Sequence, residues 1–316
     1  MNILPLIKPI VDPDIKNCFS DLDWITLVAD KEKWLGNPQT GKPFMDMFKQ
    51  WITSSKLNNI EGLDDFPEQY IINGGTEAIT EYHWIFRDRR LRLIAGEYMF
   101  TANMTMRGNF TWLHEDDLRE GDALIVSVPF AWTGDVPEDF DKIMETCSTL
   151  NIPVLIDCCW FGMCHDIEIK VNYPCVQGVC FSTSKAFASG SFRVGTLFAK
   201  NSPNHIKALN TYFYTPLLAA VAHTQVLQEF SADYMPTKYK ERQLEICESF
   251  DFEVKPSKSV VMVSSDRGYP GLDLSAPQWK NRTGGRYANG WPTESADPNN
   301  YQWGIMNELT SWANLN

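Results

Sequence analysis

The chain has few basic residues and no long apolar run. Among its 316 residues, 28 lysines and arginines stand against 40 aspartates and glutamates, so the formal net charge is -12. An acidic surface repels phosphate backbones and anionic lipid headgroups, which argues against nucleic-acid and membrane-surface partners. A membrane-spanning helix needs about 20 consecutive apolar residues, and the sequence contains no such stretch.

Secretion signals and disulfide spacing are also missing. Prolines interrupt the short apolar segment at residues 1–9, so we expect no signal peptide. The eight cysteines follow no framework spacing, which is typical of reduced thiols in a cytoplasmic protein. Cys158, Cys159, Cys164 and His165 could suggest a metal site, but adjacent cysteines on a strand point to opposite faces. We therefore expect no bound metal.

The apolar residues that are present predict alternating strands and helices. Stretches with helical spacing, such as 137–150, separate six apolar segments. These segments cover residues 69–73, 91–95, 123–128, 153–157, 177–182 and 194–199. Such alternation predicts an α/β fold with a mostly parallel sheet between helices.

The sequence changes character after about residue 203. Helices are predicted over 208–230, around Pro216, and over 239–250. Apolar residues over 259–263 predict a strand. Residues 266–300 are rich in Gly, Pro, Asn and Trp, which indicates a long loop region, and loops of this length usually have a function.

A first local motif joins a strand to a helix through two glycines. The apolar segment ends at Asn73, Gly74 and Gly75 follow, and Thr76 begins a stretch with helical spacing. The free N–H groups at the start of a helix attract anions, and glycine lets an anion approach the backbone. An ordinary turn, in which the glycines only satisfy backbone geometry, is the alternative.

A second motif is an aspartate at the end of a buried strand. Residues 152–156 are continuously apolar and Asp157 follows them, at the carboxyl end where open α/β sheets bind ligands. A carboxylate there can pair with a protonated ring nitrogen. Alternatively, Asp157 caps the next helix.

A third motif combines a lysine with hydroxyls and an arginine. Lys185 follows Ser182, Thr183 and Ser184, and Arg193 lies eight residues further on. A lysine amine forms a Schiff base with an aldehyde, while hydroxyls and a guanidinium hold phosphate oxygens. The plainer interpretation is a surface lysine near the end of a strand.

These three motifs, in this order, resemble those of fold-type-I pyridoxal-phosphate (PLP) enzymes, and class I/II aminotransferases in particular. Residues 182–187 with Arg193 are similar to the lysine motif of the histidinol-phosphate aminotransferase branch. Residues 34–44 look like the N-terminal Pro-x-Gly segment of the family, with one residue inserted. The resemblance implies the aspartate aminotransferase-like fold, with a seven-stranded, mostly parallel large domain.

The resemblance also implies domains, a function and partners. The large PLP-binding domain would cover 51–205 and a small α/β domain 206–316, while residues 1–50 would contribute to the small domain and the dimer mouth. The expected function is transfer of an amino group between an α-amino acid and a 2-oxo acid in a homodimer. A PLP-dependent lyase, decarboxylase or racemase of this fold, or a PLP-binding protein without turnover, is the alternative.

Roles for single residues follow from the same resemblance. Lys185 would form the Schiff base and then move a proton, and Asp157 would contact the pyridine nitrogen. Tyr98 would stack on the cofactor ring, with Phe100 or a purely structural role for both as alternatives. The substrate carboxylate would bind Arg286, chosen over Arg267 and Arg282. The groups expected around the phosphate are Gly75, Thr76, Ser182, Ser184 and Arg193.

Two positions depart from the family pattern. Ala131 stands where relatives have the asparagine that bonds the phenolic oxygen of PLP, and Trp160 stands where they have a tyrosine. An indole N–H donates one hydrogen bond and cannot ionise. We therefore expect PLP to bind near Trp160 with altered electronics.

Overall fold

A seven-stranded sheet lies at the centre of the computed structural model, which describes residues 10–29, 41–94, 97–98, 100–101, 110–131, 133–201, 203–248 and 255–264. The strands of the described residues, in chain order, are β1 (Asn59–Glu61), β2 (Glu68–Ile72), β3 (Arg90–Leu93), β4 (Phe110–Trp112), β5 (Asp122–Ser127), β6 (Val154–Asp157), β7 (Glu168–Lys170), β8 (Val176–Ser182), β9 (Gly195–Ala199), β10 (Lys255–Pro256) and β11 (Val263–Ser264). The central sheet has the order β2-β9-β8-β6-β5-β3-β4. Strand β9 runs antiparallel to both neighbours, and the other pairs are parallel.

The six apolar segments of the sequence each form a strand of this sheet, so the predicted mostly parallel α/β fold is confirmed. Every residue of β5 and β6 is buried. Alternate residues of β5 reach opposite apolar clusters, with Leu124 in one and Ile125 in the other. Because both faces are covered, these strands have continuous apolar sequences.

Helices cover the two faces of the sheet. Those of the described residues are α1 (Pro13–Asp21), α2 (Trp24–Ala29), α3 (Lys42–Thr53), α4 (Gly75–Ile85), α5 (Phe140–Thr149), α6 (Thr183–Ala186), α7 (Asn204–Thr211), α8 (Leu217–Glu229) and α9 (Tyr234–Glu248). Helices α3 and α8 pack together, and the Trp51 indole donates a hydrogen bond of 2.7 Å to the Phe230 carbonyl. Within the described residues, no helix has the length and apolar character needed to cross a membrane.

The chain after residue 203 differs in detail from the prediction. The helix expected around Pro216 is two helices, because α7 ends at Thr211 and α8 begins at Leu217. The helix expected over 239–250 begins earlier, at Tyr234. The domain boundaries remain a prediction, and residues 266–300 lie outside the described part.

The strand predicted over 259–263 is wrong for most of its length. Residues 260–261 form a turn, in which the Met262 N–H donates to the Ser259 carbonyl at 2.9 Å. Val260, Val261 and Met262 are buried in the main apolar cluster. Burial of a turn gives the same apolar pattern as a strand, which explains the misassignment.

Candidate functional site

The glycine turn between β2 and α4 forms a narrow cradle. Gly74 has a φ of 77°, a conformation that side chains with a β-carbon rarely adopt. A β-carbon there would lie 2.9 Å from Arg193 Cδ and 3.5 Å from Ser182 Oγ. The start of α4 therefore faces an arginine and a hydroxyl, which is a suitable environment for an anion.

The hydroxyls of this cradle come from the end of β8. Ser182 is the N-cap of α6, and its Oγ accepts a hydrogen bond from the Ser184 N–H at 3.2 Å. The Ser184 hydroxyl lies 2.9 Å from the same oxygen. Thr183 donates to the Val194 carbonyl at 2.9 Å, which ties the segment to the chain entering β9. The two serines are thus held side by side.

Lys185 is half-buried in helix α6, so it is not an ordinary surface lysine. Its Nζ lies 4.7 Å from the centre of the Trp160 ring. Burial lowers the pKa of Lys185 and the charge of Arg193 acts in the same direction, while Cys159 and Asp157 oppose the shift. A lower pKa increases the fraction of neutral amine, which is the nucleophilic form.

Asp157 ends strand β6 and is only 8% exposed. Its Oδ1 accepts a hydrogen bond from the Cys159 N–H at 3.0 Å and lies 3.7 Å from Cys180 Sγ. Burial raises the pKa of Asp157, although these hydrogen bonds and the charge of Lys185 oppose the shift. It is not a helix N-cap, because Trp160 occupies the N-cap position of the short 3-10 helix that follows, Phe161–Met163.

Glu97 is a buried carboxylate that the sequence analysis missed. It is 3% exposed and accepts hydrogen bonds from the N–H groups of Ser127 (2.8 Å) and Tyr98 (2.7 Å). Burial raises the pKa of Glu97 to about 7 against these hydrogen bonds, and the charge of Asp157 adds to the increase. The available signal was a charged residue shortly after the apolar strand β3.

The proximity of two thiols to Asp157 was also not predicted from the sequence. Asp157 Oδ1, Cys159 Sγ and Cys180 Sγ all lie within 4.8 Å of one another. Cys180 is the register partner of Asp157 across β6 and β8. Cys159 lies close to Asp157 in the sequence, whereas the proximity of Cys180 depends on strand register, which cannot be deduced from local motifs.

The aromatic side chains near Asp157 leave the choice between Tyr98 and Phe100 open. Tyr98 is 40% exposed, and its ring stacks on that of Phe100 with centroids 5.9 Å apart. Burial raises the pKa of Tyr98, and the charge of Asp157 adds to the effect. Ala131 follows the end of β5, and its N–H donates to Ser127 Oγ at 3.1 Å.

The structure thus brings most of the predicted site residues to one end of the sheet. A β-carbon on Gly75 would lie 3.3 Å from Asp157 Oδ1, so the glycine turn also contacts the aspartate. Thr76 follows in the first turn of α4. A surface cavity of about 360 Å³ opens beside the cradle, and its lining includes Asn73 and Arg193. The expected arginines and the N-terminal segment lie outside the described residues, namely Arg267, Arg282, Arg286 and residues 34–40.

Each group at this end of the sheet can bind or attack a particular chemical group. An arginine, two hydroxyls and a helix start can hold a phosphate. A half-buried amine with a lowered pKa can attack a carbonyl. A buried carboxylate can hold a cationic ring nitrogen.

No protein-family model matches the chain, and no curated protein matches its sequence. Solved structures do match its fold. The L-threonine-O-3-phosphate decarboxylase of Porphyromonas gingivalis has a TM-score of 0.58 at 14% identity, covering 78% of this chain and 76% of that one. The histidinol-phosphate aminotransferase of Clostridium acetobutylicum has a TM-score of 0.55 at 17% identity, covering 80% and 79%.

A third structure of the same fold is the PLP-bound C-S lyase of Staphylococcus hominis. Its TM-score is 0.57 at 12% identity, and the match covers 82% of this chain and 73% of that chain. The expected aspartate aminotransferase-like fold is therefore confirmed. Identities this low show the fold alone, and these three proteins differ in activity.

Proposed function

We propose that the protein is a PLP-dependent enzyme that transfers an amino group between an α-amino acid and a 2-oxo acid. One observation carries the proposal. Lys185, with its lowered pKa, and the buried Asp157 lie beside an anion cradle at one end of the sheet. The fold is shared with PLP-bound proteins, which supports this assignment.

The residues of the cradle fit the phosphate of PLP. A β-carbon on Gly74 would nearly collide with Arg193, so glycine leaves room where an anion needs backbone contact. The groups that would hold the phosphate are the N–H groups of Gly75 and Thr76, the hydroxyls of Ser182 and Ser184, and the guanidinium of Arg193. Tyr98 and Trp160 would lie against the ring.

PLP, when bound, supplies an aldehyde that condenses with amines and a ring that withdraws electrons. Lys185 would bind the aldehyde carbon through its neutral amine. Once free of the aldehyde, the same amine would take a proton from the substrate Cα, because its lowered pKa leaves more of it in the neutral, basic form. Asp157 would keep the ring nitrogen protonated, since a buried carboxylate interacts strongly with a neighbouring cation.

A specific observation favours a second candidate, another PLP reaction such as elimination, decarboxylation or racemisation. The side chain of Ala131 has no hydrogen-bond donor, and Trp160 offers one N–H at most. Fewer donors at the phenolic oxygen change how the ring distributes charge. A decarboxylase and a C-S lyase share the fold, so the fold allows this outcome.

Cofactor attachment is tested with borohydride. We expect the purified protein to turn yellow with PLP, and reduction should fix the cofactor to Lys185 in a peptide map. Lys185→Ala should stay colourless, whereas Lys200→Ala is a matched control, because Lys200 is also partly buried and lies at the far end of β9. A colourless wild type, or labelling at another lysine, would contradict the proposal.

A single-turnover screen with amino acids decides the reaction type. Release of a 2-oxo acid with conversion of PLP to its pyridoxamine form supports amino-group transfer. Release of a 2-oxo acid or CO₂ while PLP stays in its aldehyde form supports the second candidate. No change with any amine supports a protein that binds PLP without turnover.

The proposal retains two expectations from the sequence. The protein would be a homodimer, which sedimentation equilibrium tests directly.

Arg286 would bind the substrate carboxylate, so Arg286→Ala should raise KM for the amino acid much more than it changes PLP affinity. Equal KM values in the variant and the wild type would remove Arg286 from the site.

A further inference from the structure

The carboxylate of Asp157 and two thiols form a compact cluster under the glycine turn. Asp157 Oδ1 lies 3.7 Å from Cys180 Sγ, and the cluster, completed by Cys159 Sγ, fits within 4.8 Å. A β-carbon on Gly75 would lie 2.3 Å from Cys159 Sγ and 3.6 Å from Cys180 Sγ. Because Gly75 has no side chain, the thiols can occupy the space that a β-carbon would fill.

The dimensions of this cluster suit a tetrahedral metal ion. Zinc binds sulfur at about 2.3 Å and carboxylate oxygen at about 2.0–2.2 Å, so its ligand atoms are separated by roughly 3.5–3.8 Å. The distance between Cys180 and Asp157 already matches this spacing. Thiolate ligands select soft cations over magnesium or calcium. Three protein ligands leave a fourth position open.

We propose that Asp157, Cys159 and Cys180 bind a zinc-like divalent cation in the cofactor-free protein, and that this cation and PLP exclude each other. The metal site does not depend on the proposed function. The mutual exclusion rests on the proposed function, because Asp157 would bind both the cation and PLP.

Proton balance makes the binding depend on pH. Two thiols lose their protons as two metal–sulfur bonds form, while Asp157 binds as the carboxylate. The two protons pass to the solvent, so the metal binds more strongly at higher pH.

Charged groups from three other parts of the chain face the cluster. Lys185 in α6 and Arg193 before β9 oppose a cation, and Glu97 after β3 favours it. Tyr98 also lies on this side of the cluster.

Cobalt titration of the full-length protein tests the metal site. The protein, freed of metals with a chelator and of PLP, is titrated with Co²⁺ alone, and the thiolate-to-cobalt charge-transfer band is followed in the near ultraviolet. We expect one equivalent to bind and Zn²⁺ to displace it. Cys180→Ser should weaken the band and the binding of Co²⁺ by at least about 10-fold, because it removes one of the two thiolate ligands.

Cys158→Ser is the matched control. Cys158 is adjacent to the cluster in sequence and buried, but it belongs to the apolar cluster on the opposite face of the sheet from Cys180. We expect it to bind Co²⁺ like the wild type. Circular dichroism shows whether each variant is folded, and Cys180→Ala provides a second variant. Absence of the band in the wild type, or an undiminished band in folded Cys180→Ser or Cys180→Ala, overturns the metal site.

Addition of PLP to the cobalt-loaded protein tests the exclusion. The charge-transfer band should disappear as the yellow colour develops. If both signals persist together, the exclusion is wrong. If cobalt binds and no PLP colour develops even in metal-free protein, the proposed function fails while the metal site stands. If PLP binds and cobalt does not, the metal site fails alone.

Discussion

Two buried aspartates lie at opposite ends of the central sheet and are held in opposite ways. Asp122 begins β5 and accepts hydrogen bonds from Arg90 Nε at 2.7 Å and from Arg92 Nη1 at 2.9 Å. Asp157 ends β6, and the hydrogen bonds it accepts in the described residues come from a backbone N–H and a thiol. The Asp122 carboxylate is paired with two cations, whereas the Asp157 carboxylate accepts hydrogen bonds from neutral groups.

The pKa values of the two carboxyl groups differ accordingly. Burial alone would raise the pKa of Asp122, but hydrogen bonds from Arg90 and Arg92 outweigh it and lower the pKa. Burial raises the pKa of Asp157, and its neighbours do not reverse the shift. A completed ion network stabilises the fold, whereas a buried carboxylate without a paired cation is suited to receive one.

The largest expected effect is on stability. Asp122→Asn leaves Arg92, which is fully buried, without its anionic partner. Breaking a buried ion pair costs about 3–5 kcal/mol, and urea denaturation should show this loss in the free energy of unfolding. Asp157→Asn should change the same quantity by less than about 1 kcal/mol, because burial already disfavours the charge that the substitution removes.

Asp157→Asn should instead weaken PLP binding. Loss of a charge-assisted hydrogen bond is worth about 1.5–3 kcal/mol, or roughly 10- to 100-fold in the dissociation constant. Equal destabilisation by the two substitutions would mean that both aspartates are structural, which would contradict the difference proposed between them.

The next effect concerns pH. Burial raises the pKa of Glu97 from the ordinary 4.5 to about 7. The folded protein then keeps a proton that the unfolded chain releases, so stability falls as the pH rises from about 4.5 to 7, by about 3 kcal/mol in total. Glu97→Gln should remove this contribution, so the stability curves of the wild type and the variant should differ in slope between these pH values, as denaturation at a series of pH values measures.

Asp122 provides the reference for that measurement. Its lowered pKa places its titration at acidic pH, below the window of Glu97, so its contribution to stability is lost only as the pH falls further. Equal slopes for the wild type and Glu97→Gln in this pH range would assign the titration to other groups.

The contrast between the two ends also shows what the sequence could and could not reveal. Apolar segments identified six of the seven strands of the central sheet, because both faces of the sheet are covered; β4 was not predicted. Local motifs singled out Gly75, Asp157 and Lys185, and the resemblance to a known family grouped them in one site. Cys180 was missed because its proximity to Asp157 depends on strand register, and Glu97 was missed because its burial depends on packing against β5.

A smaller effect is expected at the phenolic oxygen of bound PLP. Replacing Trp160 by tyrosine adds a hydroxyl that can donate to this oxygen, and Ala131→Asn adds a second donor. One hydrogen bond to a charged oxygen is worth about one to two pKa units. Both substitutions should therefore lower the pH at which the colour of the PLP-loaded protein titrates. A wild type that already titrates well below neutral pH would mean that another donor occupies the position.

The smallest effect is expected for a single hydroxyl of the anion cradle. Ser184→Ala removes the oxygen that lies 2.9 Å from Ser182 Oγ, and the Ser184 N–H still donates to Ser182. The fold should be unchanged, while one neutral hydrogen bond to phosphate, worth about 0.5–1.5 kcal/mol, is lost. PLP should bind roughly 2- to 10-fold more weakly, as fluorescence titration can measure. Pyridoxal, which has no phosphate, should bind the variant and the wild type equally. If affinity for pyridoxal falls as much as affinity for PLP, Ser184 acts on the position of Lys185 in the same short helix and does not contact the phosphate.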